Sequence, residues 1–186
     1  MPGGPRFTEI TTGLRHACGL QIDGSAICWG DNTHRQRSVP SGSRFTALSA
    51  GGDHTCGLEA GGTAICWGED NYGQTNVPLG KTFTALAAGT GHTCGLRSDG
   101  TPLCWGWNAS GQGAPPSGLV LKSIVAGARH TCGLELDGTA VCWGADASGQ
   151  RDVPAGPKFT GLVAGGNHTC GLEAGGTAIC WGDDQF

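Results

Sequence analysis

The chain has 186 residues, of which 36 are glycine and ten are cysteine; only 14% are charged, and the net charge is −4. It is too rich in Cys and Trp for a disordered tail, and its glycines lack the three-residue period of collagen. It has no apolar run near the ~18 residues of a membrane span, and its mild acidity argues against general nucleic-acid binding.

Internal repetition organises the sequence. The cysteines stand at Cys18, Cys28, Cys56, Cys66, Cys94, Cys104, Cys132, Cys142, Cys170 and Cys180, so their spacing alternates 10 and 28 and the period is 38. The same period carries His16, His54, His92, His130 and His168, and also Trp29, Trp67, Trp105, Trp143 and Trp181. The units are 1–38, 39–76, 77–114, 115–152 and 153–186, within a single domain of residues 1–186.

In chain order, the first element to be placed is a hairpin. Cys18 and Cys28 are symmetric about Asp23, and a type I turn over Gln21-Ile22-Asp23-Gly24, with Gly24 left-handed, gives this symmetry. Gln21 then opposes Ser25 and Cys18 opposes Cys28 in a non-hydrogen-bonded pair, where side chains lie closest. The spacing predicts five disulfides, 18–28, 56–66, 94–104, 132–142 and 170–180, each worth about 2–3 kcal/mol as a short loop closure. In the second unit, short apolar runs bounded by Gly predict strands at Phe45–Ala50, His54–Glu59 and Thr63–Trp67, with a shorter fourth near Gln74–Val77. The remaining units repeat this order. Helix is disfavoured, because glycine is dense and no apolar stripe at 3.6 spacing lasts three turns. A unit of this size cannot bury both faces alone and must stack on its neighbours. A ring of small sheets is a β-propeller, for which five blades is within the usual range. The expected class is all-β, a propeller of five 38-residue blades with one disulfide per blade.

The segment AGARHTCGLELDGTAVCWGADASGQ, from Ala126 to Gln150, resembles the repeat of the regulator of chromosome condensation family, and all five units share the pattern. The resemblance implies a β-propeller, usually seven-bladed, with the AG-bearing strand along the central axis. The Cys pair is similar to bacterial secreted versions and to plant crinkly-type receptor ectodomains. Two readings of five units stay open. Met1-Pro2 completes the last blade and closes a five-bladed ring, or the chain is part of a longer array. Paired cysteines at constant spacing point to an oxidising compartment, extracellular or cell-surface. The repeat begins at once, with no signal peptide, so a leader is expected to have been removed.

His-x-Cys with a second Cys ten residues on also resembles a partial zinc set, but cross-strand pairing accounts for the cysteines, and no metal or other cofactor is expected. The repeated His is expected to bond backbone at a blade junction, and the repeated Trp to pack blade on blade. Trp107, the sixth Trp, breaks the repeat on a loop and is a candidate contact anchor. The acidic loop residues Asp31, Glu69, Asp70, Asp146, Asp183 and Asp184 are expected to cap turns. The scattered Arg6, Arg15, Arg35 and Arg37 are expected to form a solvated surface. No unit gathers a Ser, His and Asp group, so no catalytic residue is assigned and an enzyme is not expected. The first functional reading is a non-catalytic binding scaffold for a protein or glycan. Its candidate contacts are Arg15, Asp53, Arg129 and Asn167, which precede the His, together with Trp107. The alternative is a structural or self-assembling repeat module, or an engineered propeller with no ligand. A closed ring predicts a monomer; oligomers remain open.

Overall fold

The computed structural model describes residues 4–183, and all the regular structure among them is strand. Blade 1 holds β1 (Phe7–Thr12), β2 (His16–Gln21) and β3 (Ala26–Gly30); blade 2 holds β4 (Phe45–Ala50), β5 (His54–Glu59) and β6 (Ala64–Gly68). Blade 3 holds β7 (Ala85–Ala88), β8 (His92–Leu96) and β9 (Pro102–Gly106). Blade 4 holds β10 (Leu121–Ala126), β11 (His130–Glu135) and β12 (Ala140–Gly144), and blade 5 holds β13 (Phe159–Ala164), β14 (His168–Glu173) and β15 (Ala178–Gly182). Each set forms one antiparallel three-stranded sheet in sequence order. The architecture is a five-bladed propeller type with one disulfide per blade.

The turn fixes the register as expected. Gln21 N–H donates to the Ser25 carbonyl at 2.8 Å, Gly24 N–H donates to Gln21 at 3.0 Å, and Gly24 has φ of 82°. Cys18 faces Cys28 with Cα atoms 4.0 Å apart, close enough to bridge without moving the backbone. The other four blades repeat this pairing.

Two strand expectations are corrected. The third strand of blade 2 is shifted by one residue, from the expected Thr63–Trp67 to Ala64–Gly68. The expected strand at Gln74–Val77 is not one, because this segment turns back on itself as a latch. The Gln74 side-chain oxygen accepts the Tyr72 N–H at 2.9 Å, while its backbone carbonyl accepts Trp105 Nε1–H at 2.9 Å and the Thr93 hydroxyl at 3.0 Å from the next blade. Its polar groups are committed across the junction and leave no ladder to extend.

The latch recurs at four junctions. The Gln36, Gln74, Gln112 and Gln150 carbonyls accept the indole N–H of Trp67, Trp105, Trp143 and Trp181 in turn. His16, His54, His92 and His130 bond Thr55, Thr93, Thr131 and Thr169 through Nε2 at 2.7–2.9 Å. The His partner is thus a side-chain hydroxyl of the next blade rather than the backbone expected from sequence. Between these polar contacts lie the apolar seams. Cys18 and Leu20 of blade 1, for example, pack on Phe45, Leu48 and Trp67 of blade 2.

Where blade 5 approaches blade 1, none of these bonds forms among the described residues. Blade 1 carries Ala17 where the other blades carry Thr, and His168 is exposed. Trp29 is 41% exposed, whereas the other four repeated Trp residues are 4–9% exposed. Ile10 on one face and Val163 on the other are likewise open to solvent. The described residues therefore form an arc of five blades around one axis, with four made junctions. The sequence expectation that Met1-Pro2 completes the last blade lies outside the described residues.

The arrangement predicts an asymmetry. Thr93→Ala strands the buried His54 N–H and should cost about 1–3 kcal/mol. Ala17→Thr should leave stability unchanged, since no histidine faces it. Both are read by chemical denaturation; a gain from Ala17→Thr would mean that His168 reaches blade 1 and that the seam is closed.

Candidate binding face at one end of the blades

In every blade the residue before the repeated His and the residue after the Trp-Gly pair lie side by side. Asp31 N–H donates to the Arg15 carbonyl, Glu69 to Asp53, Trp107 to Gly91, Ala145 to Arg129 and Asp183 to Asn167, all at 2.8 Å. These bonds continue the β2–β3 type of ladder past the strand ends. One end of the arc thus displays ten such positions, whose residues differ from unit to unit. The candidate residues Arg15, Asp53, Arg129, Asn167 and Trp107 all lie on it.

The face surrounds the axis. The triplets 12–14, 50–52, 88–90, 126–128 and 164–166 line an open cavity of 300 Å³. Its wall is made of small residues, because the blades converge there backbone to backbone. The one candidate from each blade sits just outside this rim.

Only two of the five candidates touch. The Arg129 guanidinium carbon lies 5.0 Å from the centre of the Trp107 ring, a cation–π contact between blades 4 and 3. Sequence reasoning missed the third member, Tyr72 of blade 2, which stacks on Trp107 with ring centres 5.5 Å apart and planes at 28°. Blade 3 makes room for it: its residue before the His is Gly91, where a Cβ would lie 3.2 Å from the Tyr72 ring. Tyr72 is the chain's one tyrosine and stands where other units have His34, Ser110, Ser148 and Phe186. That substitution, read with Gly91 in the next unit, was the available signal. Tyr72, Trp107 and Arg129 together make a ladder across three blades, with Tyr72 and Arg129 exposed.

The other candidates stand apart from it. Asp53 is half-buried and accepts Gln36 Nε2–H at 3.3 Å, so it helps seat the preceding latch. Arg15 and Asn167 are exposed on the first and last blades. The acidic loop residues cap turns: Asp31 accepts the Thr33 N–H and hydroxyl, Asp70 the Thr75 N–H, and Asp146 the Arg151 N–H and guanidinium. Asp184 lies outside the described residues. Arg35 takes φ of 65° where its counterparts Gly73, Gly111 and Gly149 are also left-handed, so it carries mild backbone strain at that turn. Among the described residues, no three His, Cys, Asp or Glu side chains gather as a metal set.

Directly beneath the face runs the row of junction histidines. Where a Thr hydroxyl donates to a Gln carbonyl, its oxygen accepts from the imidazole, which assigns Nε2–H to His16, His54 and His92. Burial and the neighbouring imidazoles push His54 down to about 3, and the same two causes push His92 and His130 down to about 4. Burial lowers His16 as well. The unfolded chain therefore binds more protons than the folded one as pH falls through the ordinary imidazole value. The stability these neutral rings retain is fully present above about pH 6.5 and is lost progressively towards pH 4, by up to about 1.4 kcal/mol per pH unit for each fully buried ring. Guanidinium midpoints measured from pH 7.5 to pH 4.5 should fall steeply over this window; a flat profile would mean that the rings accept protons in place.

The repeat model for "Regulator of chromosome condensation (RCC1) repeat" matches residues 7–36, 45–74, 83–112, 121–150 and 159–186. Among solved structures, the ectodomain of the Physcomitrella patens receptor kinase CR4 is 30% identical, with a TM-score of 0.81 over 95% of this chain and 50% of that one. The CRINKLY WD40 ectodomain of the Arabidopsis thaliana receptor kinase ACR4 is 33% identical, with a TM-score of 0.80 over 98% of this chain and 65% of that one. Yeast RCC1 (Prp20), solved bound to Kap60, shares the fold at 21% identity and a TM-score of 0.82, over 95% of this chain and 56% of that one. The chain thus spans about half to two thirds of the length of these structures. No curated protein sequence matches it significantly. Five in-phase matches over nearly the whole chain, on blades that superpose on these propellers, make it a member of the regulator of chromosome condensation repeat family.

Proposed function

We propose that the chain is a non-catalytic binding scaffold that presents the blade-end face to a protein or glycan. The observation that carries this reading is the Tyr72–Trp107–Arg129 ladder. An exposed tyrosine stacked on a half-buried tryptophan and joined to an exposed arginine has the composition of a binding hot spot. The ladder positions also carry residues as different as Ser110, Ala145 and Gly91 in other units, so fold maintenance does not require it. The residues that build the fold, His, Trp, Gln and Cys, are committed to junctions and disulfides and leave the loops free to vary.

Five disulfides and the plant ectodomain relatives support an extracellular or cell-surface setting. No helix of the described residues is long and apolar enough to cross a membrane.

A paired screen tests the reading. The intact protein and the Tyr72→Ala/Trp107→Ala variant are probed on a glycan array and against a displayed peptide library. Ligands of the intact protein should bind the variant at least tenfold more weakly, at an unchanged melting temperature. Equal binding by both proteins would remove the ladder from the site.

A further inference from the structure

Among the described residues the Arg129 guanidinium has no carboxylate partner. Asp146, on the loop after Trp143-Gly144, is held by Arg151 at 3.0 Å, and Asp137, held by Lys158, lies at the opposite end of blade 4. Those are the described ion pairs, and Arg129 belongs to neither. Its described side-chain contact is the Trp107 ring. The contact with the ring uses no hydrogen-bond acceptor, so the N–H edge of the exposed guanidinium remains available. That edge forms a planar fork that fits a carboxylate with two parallel hydrogen bonds.

The rest of the ladder tells what accompanies the carboxylate. Tyr72 comes from the blade before Trp107 and Arg129 from the blade after it, and both engage the indole. A pyranose ring needs an open aromatic face to stack on, and the half-buried Trp107, engaged by two side chains, offers little of one. Tyr72 is 55% exposed and offers an apolar ring with a polar tip. Across the same face, blade 2 carries Asp53, Glu69 and Asp70, so a uniformly acidic chain would be repelled on reaching Tyr72. A single carboxylate with an aliphatic neighbour satisfies both ends.

We propose, on the binding-scaffold reading above, that the partner is a protein whose Asp or Glu side chain docks on Arg129 while an adjacent apolar side chain lies on Tyr72. Arg129 is exposed, its one described inter-blade side-chain contact is with the Trp107 ring, and it takes no part in the latches, so its replacement leaves the fold intact.

The test uses a disulfide-constrained peptide library displayed on phage, panned on the intact oxidised protein. Selected peptides should contain an Asp or Glu next to an aliphatic residue, and should bind Arg129→Gln at least tenfold more weakly. Raising the salt should weaken binding to the intact protein and have little effect on the residual binding to Arg129→Gln. Peptides that depend on Tyr72 and Trp107 but bind Arg129→Gln equally would overturn this inference and leave the scaffold reading standing. Peptides indifferent to all three residues would overturn both. Binding of uronic acid glycans in place of peptides, or no enrichment at all, would also overturn the carboxylate-bearing protein as the partner.

Discussion

Replacing Gly89 with alanine is expected to lower the melting temperature by about 10 °C, and the same change at Gly165 to leave it nearly unaltered. A Cβ at Gly89 would stand 2.2 Å from the His92 ring and 2.5 Å from the Gly127 carbonyl of the next blade. Neither atom can yield. His92 is held by Thr131, and the carbonyl belongs to a blade fixed by its own latch. Overpacking of this kind costs about 3 kcal/mol. At Gly165 the three atoms nearest the added carbon all belong to the His168 ring, and that ring is exposed. A scan of Gly51, Gly89, Gly127 and Gly165 by differential calorimetry reads the contrast. Equal losses at all four would show that blade 5 is closed on its far side.

Reduction of the disulfides is expected to unfold the protein. Each bridge spans ten residues, and in the chain-entropy view each short loop contributes about 3 kcal/mol. Five such contributions match or exceed the whole stability of an ordinary domain, about 5–15 kcal/mol. The sheets are small and each buries itself only against a neighbour, so little cooperative reserve remains once the hairpins loosen. Tryptophan fluorescence and near-ultraviolet circular dichroism, followed as thiol is added, should shift together. The double variant Cys94→Ala/Cys104→Ala isolates one bridge in the middle of the arc and should lose about 3 kcal/mol. A reduced protein that keeps its near-ultraviolet signal would mean that the junctions alone hold the blades.

The hairpin was legible from Asp23-Gly24 and the flanking cysteines because every determinant lies within ten residues of sequence. Turn, register and disulfide are one local decision. The same locality explains why the third strand was misplaced by only one residue. The latch was not legible. Gln74 sits in a stretch whose composition suits a short strand, and the groups that claim it, Thr93 and Trp105, lie 19 and 31 residues further on. Periodicity within a unit does not register a bond made to the next unit. The histidines were expected to bond backbone at a junction, whereas four of them bond a side-chain hydroxyl of the next blade, 39 residues further on. Trp107 was singled out by departure from the repeat and Arg129 by its place before the His, and the ladder joins them. Arg15 and Asn167 were chosen on the same ground as Arg129 yet, on the flanking blades 1 and 5, stand outside it. Departure from a repeat identifies the face, whereas meeting on it depends on how far each side chain reaches across a blade.

Each latch ties a blade only to the one after it, as in a row of tiles in which every tile grips its successor. The latch atoms belong to residues at fixed offsets within the unit, so adding or removing a whole 38-residue unit preserves every grip, whereas a one-residue insertion within β8 just ahead of Thr93 turns that side chain to the other face of the sheet. Blade number is therefore free to change by duplication, and the offset within a blade is not. The molecule grows by copying sentences, never by adding letters.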